Sequence, residues 1–255
     1  MQQKTILITN DDGIHACGIA PLVEAFTASG ADVWVVAPDR ERSAVSHAIT
    51  LRDPLRMQEV APHQFACSGT PVDCSYMGVV HVVPRRPDLV ISGINHGYNL
   101  GTDVFYSGTV AAAVEAAMRG VPALAVSTIR GASAEHLRLC GQVVVKLARL
   151  ILSWPAPKHP WVYNCNIPPD PGRVELTSPG IRHYHDEVQV RYDPKGEPYY
   201  WIGGPISPDH GNLEGGEFAA LDSGNISLSP LCLSFLADAE DLARVKDALV
   251  REWRS

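Results

Sequence analysis

No stretch of this 255-residue chain approaches the roughly 18 consecutive apolar residues that would span a bilayer. Nor do the first residues form a secretory leader: Met1-Gln2-Gln3-Lys4 runs straight into an apolar segment, without the basic, apolar and small-residue regions such a leader needs. Both absences lead to the expectation of a soluble, cytoplasmic protein with no membrane partner. Runs of about five like charges are missing as well. With 21 basic against 28 acidic residues the formal charge is −7, so long polyanions are repelled and no nucleic-acid partner is expected. The six cysteines form no Cys-x-x-Cys pair. That removes the zinc and dithiol readings and leaves Cys17, Cys67, Cys74, Cys140, Cys165 and Cys232 as small, mostly core residues. Three motifs that carry chemistry are absent too. Without Gly-x-x-x-x-Gly-Lys-Ser/Thr, Gly-x-Gly-x-x-Gly or Gly-x-Ser-x-Gly, nucleoside triphosphatase, dinucleotide and serine-hydrolase functions have little support.

What is present is a folded, loop-rich composition, 45% hydrophobic and 19% charged, with 21 glycines and 20 prolines. Such a length fits one large α/β unit, or one with a small appendage, because single cores stop growing at about 250 to 300 residues. Residues 4–9 (KTILIT) form a short apolar run of the kind a buried parallel strand shows. Ile19, Leu22, Val23 and Phe26 then fall at helical spacing until Gly30, and 33–37 (VWVVA) is the next strand. Further strands are predicted at 88–92, 123–127 and 161–166, with helices over 109–119 and along the stripe Leu137, Cys140, Val144, Leu147 and Ile151. Strand and helix in alternation predict an α/β fold with a doubly wound, mostly parallel sheet and flanking helices. From about residue 171 the texture changes. Residues 187–192 and 198–203 flank the turn Asp193-Pro194-Lys195-Gly196 and predict a β-hairpin. Its aromatic residues Tyr192, Tyr199, Tyr200 and Trp201, with Tyr184, suit either a subunit contact or packing on its own domain. A strand at 226–229 and a helix at 239–253 close the chain. The expected division is 1–170, an α/β core with the catalytic site, and 171–255, a C-terminal hairpin and oligomerisation extension integrated in the same domain.

In an open parallel sheet, ligands bind at the carboxyl ends of the strands. Three segments bring oxygen-bearing side chains to that edge: Asn10-Asp11-Asp12-Gly13, Asp39-Arg40-Glu41-Arg42-Ser43, and Ser92-Gly93-Ile94-Asn95-His96-Gly97-Tyr98-Asn99. Two adjacent carboxylates repel by roughly 1 to 4 kcal/mol, depending on the effective dielectric, and a divalent cation removes the penalty. Asp11 and Asp12, with Ser43 and Asn95 as neutral oxygen donors, make an all-oxygen set suited to Mg²⁺, Mn²⁺ or Ca²⁺. The plainer alternative is that Asp-Asp-Gly is a turn and a helix N-cap. A second constellation is Tyr106-Ser107-Gly108-Thr109 ahead of a helix, where a hydroxyl, a glycine and the first N–H groups suit a phosphate, or where Ser107 is simply a cap. His15, His47 and His96 lie beside the site as acid–base candidates or bystanders, and Arg40 and Arg42 either hold phosphate or form surface ion pairs. His183 and His185 lack a third ligand nearby, and Gly69-Thr70-Pro71-Val72-Asp73 either contacts a nucleoside or caps the helix that follows.

Taken in order, 8–16 (ITNDDGIHA), 37–43 (APDRERS), 92–97 (SGINHG) and 106–110 (YSGTV) resemble the signature blocks of the stationary-phase survival protein SurE family. The likeness continues through Asp193-Pro194-Lys195-Gly196 with Tyr200-Trp201 and on to 226–231 (ISLSPL). The resemblance implies a Rossmann-like, metal-dependent 5'/3'-nucleotidase acting on nucleoside monophosphates, with a swapped C-terminal region in a homodimer or homotetramer. One divalent cation per subunit is implied, Mg, Mn or Ca, on Asp11, Asp12, Ser43 and Asn95. Asn95, Ser107, Gly108 and Thr109 match the phosphate-facing positions, and Asp11, Asp12 and Asn95 carry the chemistry. In the expected reaction Asp11 or Asp12 orients or deprotonates a water, whereas direct attack by an aspartate is the competing route. Short polyphosphate is a further candidate substrate. The chain departs from the family pattern at Cys17, where proline is frequent, and at Gly216-Glu217, where Thr-Asp is common. The rival class is a Mg-binding, non-enzymatic signalling module of the receiver kind. Its phospho-acceptor aspartate and following lysine are missing, since the later strand ends are Ser92-Gly93-Ile94-Asn95 and Ser127-Thr128-Ile129-Arg130.

Overall fold

Strand β1, Thr5–Thr9, is buried at every position, and its side chains divide between two cores as a strand's alternation requires. Ile6 and Ile8 join Leu22 and Phe26 of helix α1 (Ile19–Ala28) and Val144 and Leu147 of helix α4 (Ala134–Ser153). Leu7 points the other way, among Cys74 of helix α2 (Pro71–Met77) and Val110, Ala113 and Ala117 of helix α3 (Gly108–Met118). Only a sheet covered on both faces supports so continuous an apolar run. The structure is a computed structural model that describes residues 1, 3–155, 161–182, 187–203, 215–232 and 246.

Parallel neighbours of β1 are β2 (Asp32–Pro38) on one side and β5 (Leu89–His96) on the other. Beyond β5 come β6 (Ala123–Thr128) and β7 (Trp161–Ile167), both parallel. Beyond β2 lies β4 (Gln64–Cys67), parallel to it and paired antiparallel with β3 (Met57–Ala61). Residues past 170 return to the same sheet: β11 (Ile226–Cys232) runs antiparallel to β7, and β8 (Val174–Leu176) is parallel to β11. Among the described residues the nine-stranded order is β3-β4-β2-β1-β5-β6-β7-β11-β8. The architecture is thus α/β with a mostly parallel sheet and helices on both faces. The hairpin β9 (Glu187–Tyr192) and β10 (Pro198–Gly203) forms a separate two-stranded sheet, exposed along its whole length. Of the helix expected at 239–253 only residue 246 is among the described residues, and it is helical, while His183, Tyr184 and His185 lie outside them. Among the described residues, no helix is long and apolar enough to cross a membrane.

Four cysteines, Cys67, Cys74, Cys140 and Cys165, are buried, whereas Cys17 and Cys232 are exposed. Iodoacetamide is therefore expected to alkylate Cys17 and Cys232 in the native protein and the other four only after unfolding. Mass spectrometry of the quenched native protein checks this, and early labelling of Cys140 or Cys165 would contradict the packing described.

Candidate active site

From β1 the chain winds outward through β2 to β4 and then returns to β5 on the other flank of β1, so the order of connections reverses between β1 and β5. A crevice outside the carboxyl ends of these two strands is where such a fold binds ligands. Asp11 and Asp12 follow β1 directly, and Asn95 lies at the end of β5. The Asn10 amide fixes the turn, donating from Nδ2 to the Gly13 carbonyl at 2.9 Å and accepting the Gly13 N–H on Oδ1 at 3.1 Å. Backbone bonds then stitch the loop after β2 onto it: Ile14 N–H donates to Pro38 at 2.8 Å and Arg42 N–H to Asp11 at 2.7 Å. Helix α1 begins at Ile19 with Gly18 as its cap, so the aspartates do not serve as its N-cap.

Asp11 is buried and its carboxyl is pushed up from 3.8 to about 6, chiefly by burial. The charge of Asp12 adds to the rise, and the hydroxyl and N–H of Thr109 oppose it. Thr109 Oγ1 donates to Asp11 Oδ1. Gly108 makes this approach possible, because a Cβ there would stand 2.8 Å from Asp11 Cβ, 2.9 Å from its Oδ2 and 3.1 Å from Pro71 Cγ. Burial also raises the Asp12 carboxyl, with the nearby Glu41 charge as second cause and the His96 backbone N–H working against both. Asp12 Oδ2 is buried with no hydrogen-bond partner among the described residues.

Asn95 is positioned by an irregularity in β5. The register against β6 shifts between Ser92 and Asn95, where Gly93 takes φ +142°, a conformation in which a side chain would be strained and would meet the Val126 carbonyl at 2.4 Å. The Asn95 amide donates from Nδ2 to the Gly97 carbonyl at 2.8 Å. A carbonyl only accepts, so this contact assigns nitrogen to that side and leaves Oδ1 as an oxygen donor for a ligand. Ser43 is exposed and donates its hydroxyl to Glu41 Oε1 at 2.8 Å, retaining lone pairs. Asp11, Gly108 and Thr109 are thus in direct contact, and Asp12 meets the residue after Asn95. Ser43 joins the same edge through its loop backbone. Among the described residues no group of three or more His, Cys, Asp or Glu side chains is arranged to hold a metal, so any cation here relies on neutral oxygens as well as carboxylates.

At the start of α3, Ser107 Oγ accepts the Val110 N–H at 3.1 Å, which leaves its hydroxyl hydrogen for another acceptor. The Gly69–Asp73 turn is a capping box for α2: Thr70 Oγ1 accepts the Asp73 N–H and the Asp73 carboxylate accepts the Thr70 N–H, plus the N–H and hydroxyl of Thr50. His47 pairs with Glu115 on α3 at 3.0 Å, and His96 Nε2 lies 3.0 Å from Cys17 Sγ, while His15 is exposed. Arg42 is engaged by the Ser68 carbonyl and Asp39, whereas Arg40 is exposed. Sequence reasoning passed over Glu41, although its place two residues before Ser43 makes it a third acid at the same edge. Glu217 stands out in the sequence only as a departure from the family pattern, and no local pattern shows that it is buried.

These features have counterparts in known proteins. The family model described as "Survival protein SurE" matches residues 6–186. A 5'-nucleotidase SurE of Anaeromyxobacter sp. (strain Fw109-5) is 48% identical over 238 residues, 92% of either chain, and that of Geobacter sulfurreducens is 45% identical, covering 89% of this chain and 87% of its own. The crystal structure of the Sure protein from Aquifex aeolicus superposes with a TM-score of 0.81 at 35% identity, covering 97% of this chain and 98% of that one. A parallel sheet with paired aspartates at its switch point, matched by family model, by sequence and by structure over most of its length, places this chain in the SurE family.

Proposed function

We propose that this chain is a divalent-metal-dependent phosphomonoesterase that hydrolyses nucleoside 5'- and 3'-monophosphates to nucleoside and phosphate, with short polyphosphate as a further substrate. The relatives named 5'-nucleotidase SurE support the reaction class. The observation that carries the assignment to a site is the buried Asp11 next to Asp12, held against the N-terminus of α3 at the switch point.

Asp11, Asp12, Ser43 and Asn95 would hold one cation per subunit, Mg, Mn or Ca. Their fit is supported by the buried Oδ2 of Asp12 with no partner among the described residues, the Oδ1 of Asn95 that the Nδ2 contact leaves as an acceptor, and the repulsion between two carboxylates that burial already strains. Bound there, a cation supplies charge neutralisation and Lewis acidity toward a phosphate oxygen and water. The chain's own residues do the rest. Ser107 offers its hydroxyl and Gly108 its backbone N–H to the phosphate at a helix start that carries partial positive charge. Thr109 contributes its place in that first turn and holds the Asp11 carboxylate through its hydroxyl. Asn95 stabilises charge developing on the phosphoryl group, and Asp11 or Asp12 orients the attacking water and receives its proton.

The domain division at residue 170 belongs to the same proposal, with the site on 1–170 and assembly on 171–255. Exposed Val188, Val190, Tyr199, Trp201 and Ile202 on the hairpin support a homodimer or homotetramer. A cytoplasmic location completes it. The signalling alternative gains nothing, since β5 ends in Asn95-His96 and β6 in Ser127-Thr128, with no phospho-acceptor aspartate.

A panel of nucleoside 5'- and 3'-monophosphates, assayed for phosphate release with chelator and with Mg²⁺ or Mn²⁺ restored, tests the function. Release that EDTA stops and either metal restores is expected. Absence of release from every nucleotide under every metal would overturn the proposal.

A further inference from the structure

Glu217, the first residue of α5 (Glu217–Asp222), is 0% exposed although it carries a carboxylate. Among the described residues no cation pairs with it. Its partners are the N–H of Gly101, 116 positions earlier in the chain, the N–H of Gly180 at 3.3 Å and the Ser229 hydroxyl at 3.4 Å, so one side chain ties together three separate segments. Burial raises this carboxyl and the two backbone N–H groups oppose the rise. A buried acid without a cation is costly, so its placement at these N–H groups calls for a positional explanation.

The contacts lead to the active site. Gly101 opens the 3-10 turn Gly101–Phe105, and the Asp103 carbonyl in that turn accepts the N–H of Tyr106 at 2.9 Å and of Ser107 at 3.1 Å. Arg182, two residues after Gly180, pairs with the Asp103 carboxylate. Ser107 then caps α3, and Thr109 in its first turn donates to Asp11. Each link is a hydrogen bond, an ion pair or a short run of turn.

We propose that Glu217 is a positioning residue for the reaction: its carboxylate clamps Gly101 and Gly180, and so sets the turn that delivers Ser107, Gly108 and Thr109 to Asp11. This rests on the reading of Ser107–Thr109 as the phosphate side of the site. It gives the C-terminal segment a part in the active site that assembly alone would not require.

The test is steady-state kinetics on a nucleoside monophosphate, with Mn²⁺ affinity and melting temperature, for Glu217→Leu, Glu217→Gln, Ser107→Ala and the double variant Glu217→Leu with Ser107→Ala. Both N–H groups share Glu217 Oε1, so glutamine keeps an oxygen to accept them and is expected to stay close to wild type, whereas leucine offers no acceptor. Glu217→Leu is expected to lower kcat/KM by about a hundredfold, mainly through KM, with Mn²⁺ affinity nearly unchanged. In the Ser107→Ala background its effect should shrink, the signature of two residues acting through one contact. A Glu217→Leu enzyme that melts earlier with wild-type KM and kcat, while Ser107→Ala raises KM, would overturn the positioning role alone. An unchanged KM in Ser107→Ala would instead overturn the phosphate-side reading. Should Glu217→Leu fail to fold, hydrogen exchange on the wild-type protein decides. Gly101 and Gly180 amides protected like the interior of α3 are expected, and free exchange at Gly101 would refute the clamp.

Discussion

Asp11→Asn is expected to abolish phosphate release and, in the absence of metal, to raise the melting temperature. The carboxyl of Asp11 is raised from 3.8 to about 6 because burial disfavours its charge. A folded-state value above the unfolded one means that the folded chain holds this proton more tightly, so stability falls as pH rises from about 4 through about 6 and the full cost is present at neutral pH. Two units correspond to at most about 3 kcal/mol. Asparagine removes the charge, keeps the size and still accepts the Thr109 hydroxyl, so the metal-free variant should gain up to several degrees, at about 2 to 4 °C per kcal/mol for a chain of this size. Loss of a carboxylate ligand should weaken divalent-metal binding by more than about a hundredfold. Calorimetry in EDTA at pH 5 and pH 7, beside an activity assay with Mn²⁺, checks both halves. Full turnover would refute the site, and lost activity with a lower melting temperature would mean that Asp11 is a structural rather than a functional charge.

The second large effect is at Gly108. Alanine is ordinarily favoured over glycine inside a helix by about 1 kcal/mol. Here the added methyl would stand 2.8 Å from Asp11 Cβ and 3.1 Å from the Pro71 ring, with α3 on one side and α2 on the other. Something has to move, and the lightest attachment is the Thr109 contact with Asp11. Gly108→Ala is therefore expected to cost about 1 to 3 kcal/mol of stability through overpacking and about a hundredfold in kcat/KM through misplacement of the helix start. Chemical denaturation and kinetics on the purified variant measure the two costs. An active Gly108→Ala protein of raised stability would show that the close approach of α3 to Asp11 has no functional weight.

Both residues illustrate how far the amino-acid sequence alone reaches. β1 and β2 are legible because strands covered on both faces read as nearly continuous apolar runs, β7 because its apolar residues outweigh Asn164 and Asn166, and the hairpin because Asp193-Pro194-Lys195-Gly196 forces a turn. By contrast β3 (MQEVA) and β4 (QFAC) are short, mixed in polarity and at the sheet edge, where pairing rather than composition makes a strand. β5 runs through Gly93 to His96, past the point where glycine usually ends a strand. β11 extends through Pro230 to Cys232 for a related reason: it pairs along β7, and a proline inside a strand otherwise reads as its end.

Within the site, the adjacency of Asp11 and Asp12 is itself a signal, since like charges side by side after a buried strand demand an explanation. The rest is tertiary. That Gly108 is needed for space, that Thr109 turns to Asp11, and that Glu217 is buried among N–H groups all depend on segments dozens of residues apart meeting in the fold. No local periodicity encodes such meetings. Glu217, after two glycines, has the local appearance of an exposed helix-start acid.

The central claim, that Asp11 and Asp12 hold a divalent cation at the switch point of the sheet, is tested most directly by Mn²⁺ titration followed by electron paramagnetic resonance, on the wild-type chain and on Asp12→Asn. One tightly bound Mn²⁺ per wild-type chain, lost in Asp12→Asn while the variant remains folded, is the predicted result. Equal stoichiometry and affinity in the two proteins would contradict it.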